Sequence, residues 1–572
     1  QAGAITSTNL GITNTAASTT LNAANVVTNL NTSNFTGQTA ALTVTGALDI
    51  DGVTGADTLT LNAGGSLTQG GVITSTNLGI TNTAGSTTLN AANVVTNLNT
   101  SNFTGQTAAL TVTGALDIDG VTGANSLTLT SSGPGDITNA GGGITATTLS
   151  VSNDSVSGAV LLNSNANAVT NLAAVTARGG AISFDNGDTN LALAGTIKTR
   201  KDSVGGAITI DVGTGALDTA DQSVVSRNDA DGDNSDGVIT LIADSIDLGT
   251  TADKITTTGA VVLRPTTTSR VIKVSTGDLE NFDNTDTEFN LSTNEIEAVN
   301  ATSSGLTIGD ATYTGQITLN ADAYDFAALT IAGGNIDVVS ALTTSNNTAL
   351  TLDGVGIDQS GTGTINMGSG AILFEAGAAA VTSVADALTI TTTNTAAGGL
   401  TINNATTIGA TSQADNAALE TSVAELTITA GAGATFISEA DAVELQGINV
   451  GANTLGINLE GAGALTQTAT GITATGVTTL TAAGSVAPFN DITLNSVNND
   501  FGTVVITQGG DVTLSDSNSI TLGSATVGGD YNVTTDSDNT GISTMTISGV
   551  INASGDVLFS GTSANDIIDV DS

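Results

Sequence analysis

Residues 5–12 read Ile-Thr-Ser-Thr-Asn-Leu-Gly-Ile, and the same eight residues stand again at 73–80. The copy extends outward in both directions. Residues 1–61 and 69–129 are identical at 56 of 61 positions, the differences being Ala2/Gly70, Ala4/Val72, Ala17/Gly85, Asp57/Asn125 and Thr58/Ser126. A third, weaker copy opens near Ile137, where ITNAGGGITATTLSV echoes LTQGGVITSTNLGI. Such near-identity points to a recent internal duplication. A single globular core rarely accommodates one, whereas a stacked array only becomes longer.

Inside the unit, side-chain character alternates with a period of two. Ala41-Leu42-Thr43-Val44-Thr45, Ala47-Leu48-Asp49-Ile50-Asp51 and Thr58-Leu59-Thr60-Leu61 all read as short strands. Gly46, Gly52, Gly55 and Gly64-Gly65 punctuate them. The same grammar continues at Ala207–Ile210, Val238–Ile242, Gln316–Leu319, Leu388–Thr391, Leu426–Thr429 and Asp511–Leu514. No stretch carries a helical stripe. Ala417–Leu426 comes nearest, and its Thr and Val content favours a strand. Propellers carry aromatic blade motifs and sandwiches carry domain-sized linkers, and the sequence has neither. A 68-residue unit divides into three coils of roughly 22–23 residues, a usual turn of a parallel β-helix. The expectation is an all-β parallel β-helix (β-solenoid), a single elongated rod of about 25 coils, roughly 120 Å long at about 4.8 Å per coil.

Composition agrees and excludes. The chain has 53 acidic and nine basic residues, a net charge of −44, and no Cys, His or Trp. Zinc fingers, haem sites, thiol proteases and Ser-His-Asp triads need residues it lacks, and disulfides are impossible. A phosphate backbone would be repelled, so no nucleic acid is expected as partner. No run approaches 18 apolar residues, so no membrane insertion by a helix is expected. Charged residues are 11% and hydrophobic ones 39%, too few charges and too much Val, Ile and Thr for a disordered chain. The first residue is Gln, which reads as a processed chain or a fragment. The charges are uneven. Residues 1–177 hold seven acidic and no basic residues. All nine cations, from Arg178 to Lys273, lie within 178–273, and residues 274–572 hold 33 acidic residues and no basic one.

A family comes into view in the middle of the chain. Gly237-Val-Ile-Thr-Leu-Ile-Ala-Asp-Ser-Ile-Asp-Leu248 resembles the coil of filamentous-haemagglutinin-like exoproteins. Val261-Val-Leu-Arg-Pro265, Arg270–Lys273, Leu279, Asn294–Glu297, Gly305–Asp310 and Thr314–Leu319 follow in an order similar to that of large bacterial β-strand-repeat surface proteins, two-partner-secretion adhesins among them. Glu295-Ile296 stands where that family usually has Glu-Leu. The resemblance implies a right-handed helix and a bacterial cell-surface or extracellular location; no enzymatic activity is expected, on the residues weighed below. With it the chain divides into tandem repeats over 1–136, coils with basic residues and an acidic loop over 137–236, the exoprotein-like block over 237–319, and acidic coils over 320–572.

One local constellation suggests chemistry. Asp229, Asp231, Asp233, Ser235 and Asp236 offer oxygens at near-alternate positions of a Gly-containing loop, a pattern that can converge on Ca²⁺. The loop is not an EF-hand, because its twelfth position is Thr240. The bland reading is a solvated acidic turn. The tail around Asn565, Asp566 and Asp569 faintly resembles the opening of a haemolysin-type Ca²⁺ repeat, without its G-G-x-G-x-D nonapeptide. Asp49/Asp51 and Asp117/Asp119 read as outward strand positions three coils apart. Polysaccharide-cleaving β-helices need clustered Asp with a His or basic partner. Here Asn284-Thr-Asp286 follows Arg270-Val-Ile-Lys273 instead of preceding it, and His is missing. Thr-x-Thr pairs such as Thr43/Thr45 and Thr389/Thr391 do not recur once per coil, so no flat ice-binding array follows. The expected function is an extracellular structural or adhesive β-helical protein that assembles head to tail into filaments. Cell-surface glycans are the expected further partners. The alternatives are a monomeric adhesin stalk, a Ca²⁺-linked surface layer and a polysaccharide-active enzyme.

Overall fold

A computed structural model describes residues 1–139, 141–201, 206–228, 236–275, 287–301, 304–320, 326–344, 347–383, 389–393, 399–409, 418–429, 433–483, 489–537 and 541–570. Over these residues the protein is an all-β solenoid of about 23 turns, its strands stacked in parallel, with a single short helix. The chain forms two compact units, Gln1–Thr267 with Asp278–Leu306, and Thr268–Gly277 with Thr307–Ser572.

In the first unit the coil is shorter at the amino end than the sequence suggests. Thr6 pairs with Val26, Asn29 with Asp49 and Val53 with Ile73, a register of 20 residues per turn. The 68-residue repeat therefore spans between three and four coils, not three coils of 22–23 residues. The consequence is angular. Asn9, Asn29, Asp49 and Thr68 form one outward column. The repeat equivalents Asn77, Asn97, Asp117 and Thr138 form a different column, because Asn77 lies above Thr58. Duplicated residues thus face different sides. Farther along, the turns lengthen, to 31 residues between Ile208 and Ile239. Longer turns leave fewer coils, which accounts for about 23 instead of about 25.

The alternation read from sequence becomes an inward and an outward phase. In the first unit Val160, Ile182, Ile208, Ile239 and Val261 stack as one inward column, and Leu162, Phe184, Ile210, Leu241 and Leu263 as another. In the second unit Leu350, Ile372, Leu400 and Leu426 stack in the same way beside Leu352, Phe374, Ile402 and Ile428. All of these are at most 2% exposed, so each contributes on the order of 1.5–3 kcal/mol of burial. Stability is a sum over coils and coil interfaces, because each coil packs on its neighbours. The Ala417–Leu426 stretch does form strands, over Leu419–Val423 and Glu425–Thr429.

Two local readings change. Gly55 does not end a strand. It lies inside Val53–Ala63 with φ 65°, at the register shift between Val53 and Ala56, where an added Cβ would sit 2.9 Å from Thr36 Oγ1. A β-bulge there needs glycine. The one helix, Thr293–Glu297, starts at Ser292 in a capping box: Glu295 N–H donates to Ser292 Oγ, and the Ser292 N–H donates to Glu295 Oε2 at 2.8 Å. Glu295 Oε1 also accepts the Leu248 N–H at 2.9 Å, which ties this turn to a preceding coil.

Candidate functional site

The acidic loop lies mostly outside the described residues, and Asp229, Asp231, Asp233 and Ser235 are among those not described. Asp236 is described. Its N–H donates to Thr258 Oγ1 at 3.0 Å, and its Oδ2 accepts the Thr258 N–H at 3.2 Å. That pair fastens one coil to the next. Asp49 and Asp117 are half-buried at outward positions, and each accepts a threonine hydroxyl from the following coil, Thr68 at 2.7 Å and Thr138 at 2.6 Å. They stand on different faces, not in one line three coils apart. No three His, Cys, Asp or Glu among the described residues converge as a metal-binding group.

What the structure adds is a set of polar stitches along the stack. The chain contains four Ile-Thr-[Ser/Ala]-Thr strands, beginning at Ile5, Ile73, Ile144 and Ile472. In each, the isoleucine N–H donates to the side-chain oxygen of an asparagine one coil on: Asn25 at 2.8 Å, Asn93 at 2.9 Å, Asn167 at 2.8 Å and Asn499 at 2.8 Å. The amide nitrogen of the same asparagine donates to a carbonyl in its own coil and to one in the next. For Asn93 these are Leu89 at 3.1 Å and Thr111 at 2.9 Å. For Asn499 they are Leu494 at 3.1 Å and Ser515 at 3.0 Å. All four asparagines are at most 2% exposed, and each satisfies backbone groups of three coils. A Gln or Asn one coil earlier adds a bond to each of them: Gln1, Gln69, Asn139 and Gln467. The recurrence of Leu465-Thr-Gln467 before Ile472 marks a fourth repeat copy, which the sequence reading missed. The motif Leu-Thr-Gln followed by Ile-Thr-x-Thr was the available signal.

A second ladder is acidic. Asp491, Asp511, Asp530 and Asp556 occupy the same outward position of four successive coils, all exposed. Each carboxylate Oδ1 accepts the backbone N–H of the next aspartate at 2.8 Å. These charge-assisted bonds offset the mutual repulsion of stacked carboxylates. The residue before Asp511, Asp530 and Asp556 is glycine, and at Gly529 a Cβ would lie 1.9 Å from Asp511 Oδ1. The ladder edges an open groove of about 370 Å³ whose floor includes Phe489, Gly510 and Gly528.

One carboxyl is buried. Glu439 is 0% exposed, and burial pushes its pKa up to about 8, opposed by hydrogen bonds from Thr421 and Val423 and reinforced by Asp441. Thr421 Oγ1 is 2.7 Å from Glu439 Oε2, and the Val423 N–H donates to Oε1 at 3.0 Å. In the neutral form the acid proton goes to Thr421 Oγ1, whose own proton reaches the Ser438 carbonyl at 3.3 Å. Every polar atom is then satisfied without charge.

Stitches, ladders and stacked apolar columns define a β-solenoid repeat protein. A family described as repeats of unknown function (DUF5649) matches residues 432–508 and 509–570, the part that carries Asn499, the aspartate ladder and Glu439. The exoprotein-like block at 237–319 lies outside both matches. No curated protein and no solved structure matches the chain.

Proposed function

We propose that this chain is a structural or adhesive repeat protein of a bacterial cell surface that joins end to end into filaments. The observation that carries the reading is the stack itself: each coil pairs in parallel with the next and buries its inward column almost completely, and residues 1–61 and 69–129 repeat at 56 of 61 positions. The pairing that joins one coil to the next within the chain is the kind of contact by which copies would join end to end. The reading assigns no reaction to the chain, and it makes cell-surface glycans ligands of its outward Thr, Asn and Asp columns. Head-to-tail contacts of one kind that do not close on themselves generate open filaments.

Negative-stain electron microscopy of residues 1–572 over a concentration series tests this. Filaments that persist in EDTA are the expected result. A monomer at every concentration overturns the filament. The acidic surface of 274–572 favours one competing arrangement, a Ca²⁺-linked surface layer that also uses the Asp229–Asp236 loop. Such a layer would dissolve in EDTA, and calorimetry would register Ca²⁺ binding at millimolar concentration.

A further inference from the structure

The first unit gathers cations on one face of its stack. Ala177 pairs with Thr199, and Thr199 with Ser226. The residues that follow them, Arg178, Arg200 and Arg227, continue one outward column over three successive coils, and all three are exposed. Arg200 and Arg227 are direct register partners. Lys198, two positions before Arg200, is outward on the same strand. One coil before Arg178 the column holds Asp154, which follows Asn153, the partner of Ala177. Guanidinium groups stacked at about 4.8 Å per coil repel one another, and an anionic partner on that face relieves the repulsion.

The second unit carries the complement. Asp491, Asp511 and Asp530 place one exposed carboxylate on each of three successive coils, with the same rise. Their Oδ1 atoms are fixed by the N–H of the next aspartate, and among the described residues no donor reaches their Oδ2 atoms. Phe489, partly exposed, lies against Gly528 in the groove beside them. Carboxylates beside an aromatic face suit a guanidinium better than an ammonium, because its fork donates to the oxygens while its plane stacks on the ring. Residues 274–572 contain no cation of their own to fill this place.

We infer that the column Arg178, Arg200 and Arg227 is a docking surface for a second copy of the chain, which lays its ladder Asp491, Asp511 and Asp530 against it, one guanidinium to one carboxylate, coil by coil. Both columns have the rise of a parallel β-stack, so the pairs stay in step. The aspartates are already held by backbone bonds and lose little freedom on docking. A single exposed ion pair contributes little, and three aligned ones act together. At about 0.15 M salt, charges more than about 8 Å apart are screened, so the general repulsion of two acidic chains fades while pairs in contact persist. Column and ladder are different surfaces, so the contact is heterologous and recurs from copy to copy. It goes beyond the end-to-end reading and does not depend on it.

Two triple variants of the full chain test the contact. Arg178→Gln, Arg200→Gln and Arg227→Gln together remove the column. Asp491→Asn, Asp511→Asn and Asp530→Asn together remove the ladder charge, and each Asn keeps an oxygen for the N–H of the next coil. Mixed with each other, the variants retain one intact column and one intact ladder. Sedimentation velocity should show the mixture associating at least tenfold more tightly than either variant alone, and 1 M salt should abolish the difference. Equal affinity in all three samples overturns the contact, and any association left is then end-to-end. No association in any sample overturns it too. Binding of poly-L-glutamate that depends on the arginines, without a preference in the mixture, also overturns it and gives the column a different acidic partner. A second measurement does not need the Asp→Asn fold. Arg200→Lys supplies an amine at position 200, and carbodiimide should couple it to Asp491, Asp511 or Asp530 of another, isotopically distinct copy. Coupling of that amine only to other carboxyl groups overturns the docking surface.

Discussion

Glu439 shows how one buried side chain sets a pH dependence for its coils. Its carboxyl is held near pKa 8 in the folded protein against an ordinary 4.5. Below about pH 4.5 the folded and unfolded states are both protonated and the full stability is present. Between 4.5 and 8 the unfolded chain releases a proton that the folded one keeps, so stability falls as pH rises, by up to about 1.4 kcal/mol per unit. Above 8 the loss is complete. Glu439→Gln reproduces the neutral geometry, with the amide oxygen on the Val423 N–H and the amide nitrogen on Thr421 Oγ1. Urea unfolding at pH 5 and pH 8 should show the parent weaker at pH 8 and the Gln variant far less sensitive. An unchanged pH slope in the variant would place the titrating group elsewhere. Nothing in the local sequence around Glu439 announces this. Its strand, Thr435–Glu439, breaks the alternation at Phe436-Ile437 and so gives Glu439 no phase, and only the pairing with Leu419–Val423 and Leu455–Leu459 encloses it.

At the scale of the strand and turn, the asparagine stitches couple neighbouring coils. Replacing Asn93 by Ala leaves the Ile73 N–H and the Leu89 and Thr111 carbonyls without their partner in a buried corner. Each orphaned group costs roughly 1–3 kcal/mol, so the expected loss is about 3 kcal/mol or more, concentrated in the coils that Asn93 joins. Hydrogen exchange should report it as faster exchange at the Ile73 amide. The half-buried Asn29 serves as control, since its Nδ2 bonds only to the Asn9 and Asp51 side chains and its removal should change little. Equal protection at Ile73 in the Asn93 variant would refute the stitch. Strands were legible in advance wherever Val, Ile, Leu and Thr alternate. The corners were not, because an asparagine in a turn has the same composition signature whether it points out to water or inward at three backbones. Gly55 illustrates the same limit: sequence marks it as a breaker, and the register shift turns it into a bulge inside a strand.

At the scale of the whole molecule, near-identity of the first two repeats makes a sharp expectation. Stability that sums over neighbouring coils is local, so removal of residues 1–68 should leave Gln69 and the Ile73 strand opening the stack in place of Gln1 and Ile5. Residues 69–572 should keep the parent's strand spectrum, with an unfolding midpoint close to that of the full chain. A collapse of the spectrum would show that the first repeat is a nucleus on which the rest depends. Sequence by itself determined the class of fold, since a period of two, glycine-punctuated strands and a tandem duplication have few structural solutions other than a solenoid. It also marked the apolar part of the core wherever Val, Ile and Leu alternate with Thr, because alternation assigns the inward phase. Only the tertiary structure decided the pitch. Twenty residues per turn, set by how inward side chains and corner asparagines close each coil, do not divide the repeat evenly. The duplicated residues therefore turn away from one another around the stack, and no reading of the repeat length alone can supply that angle.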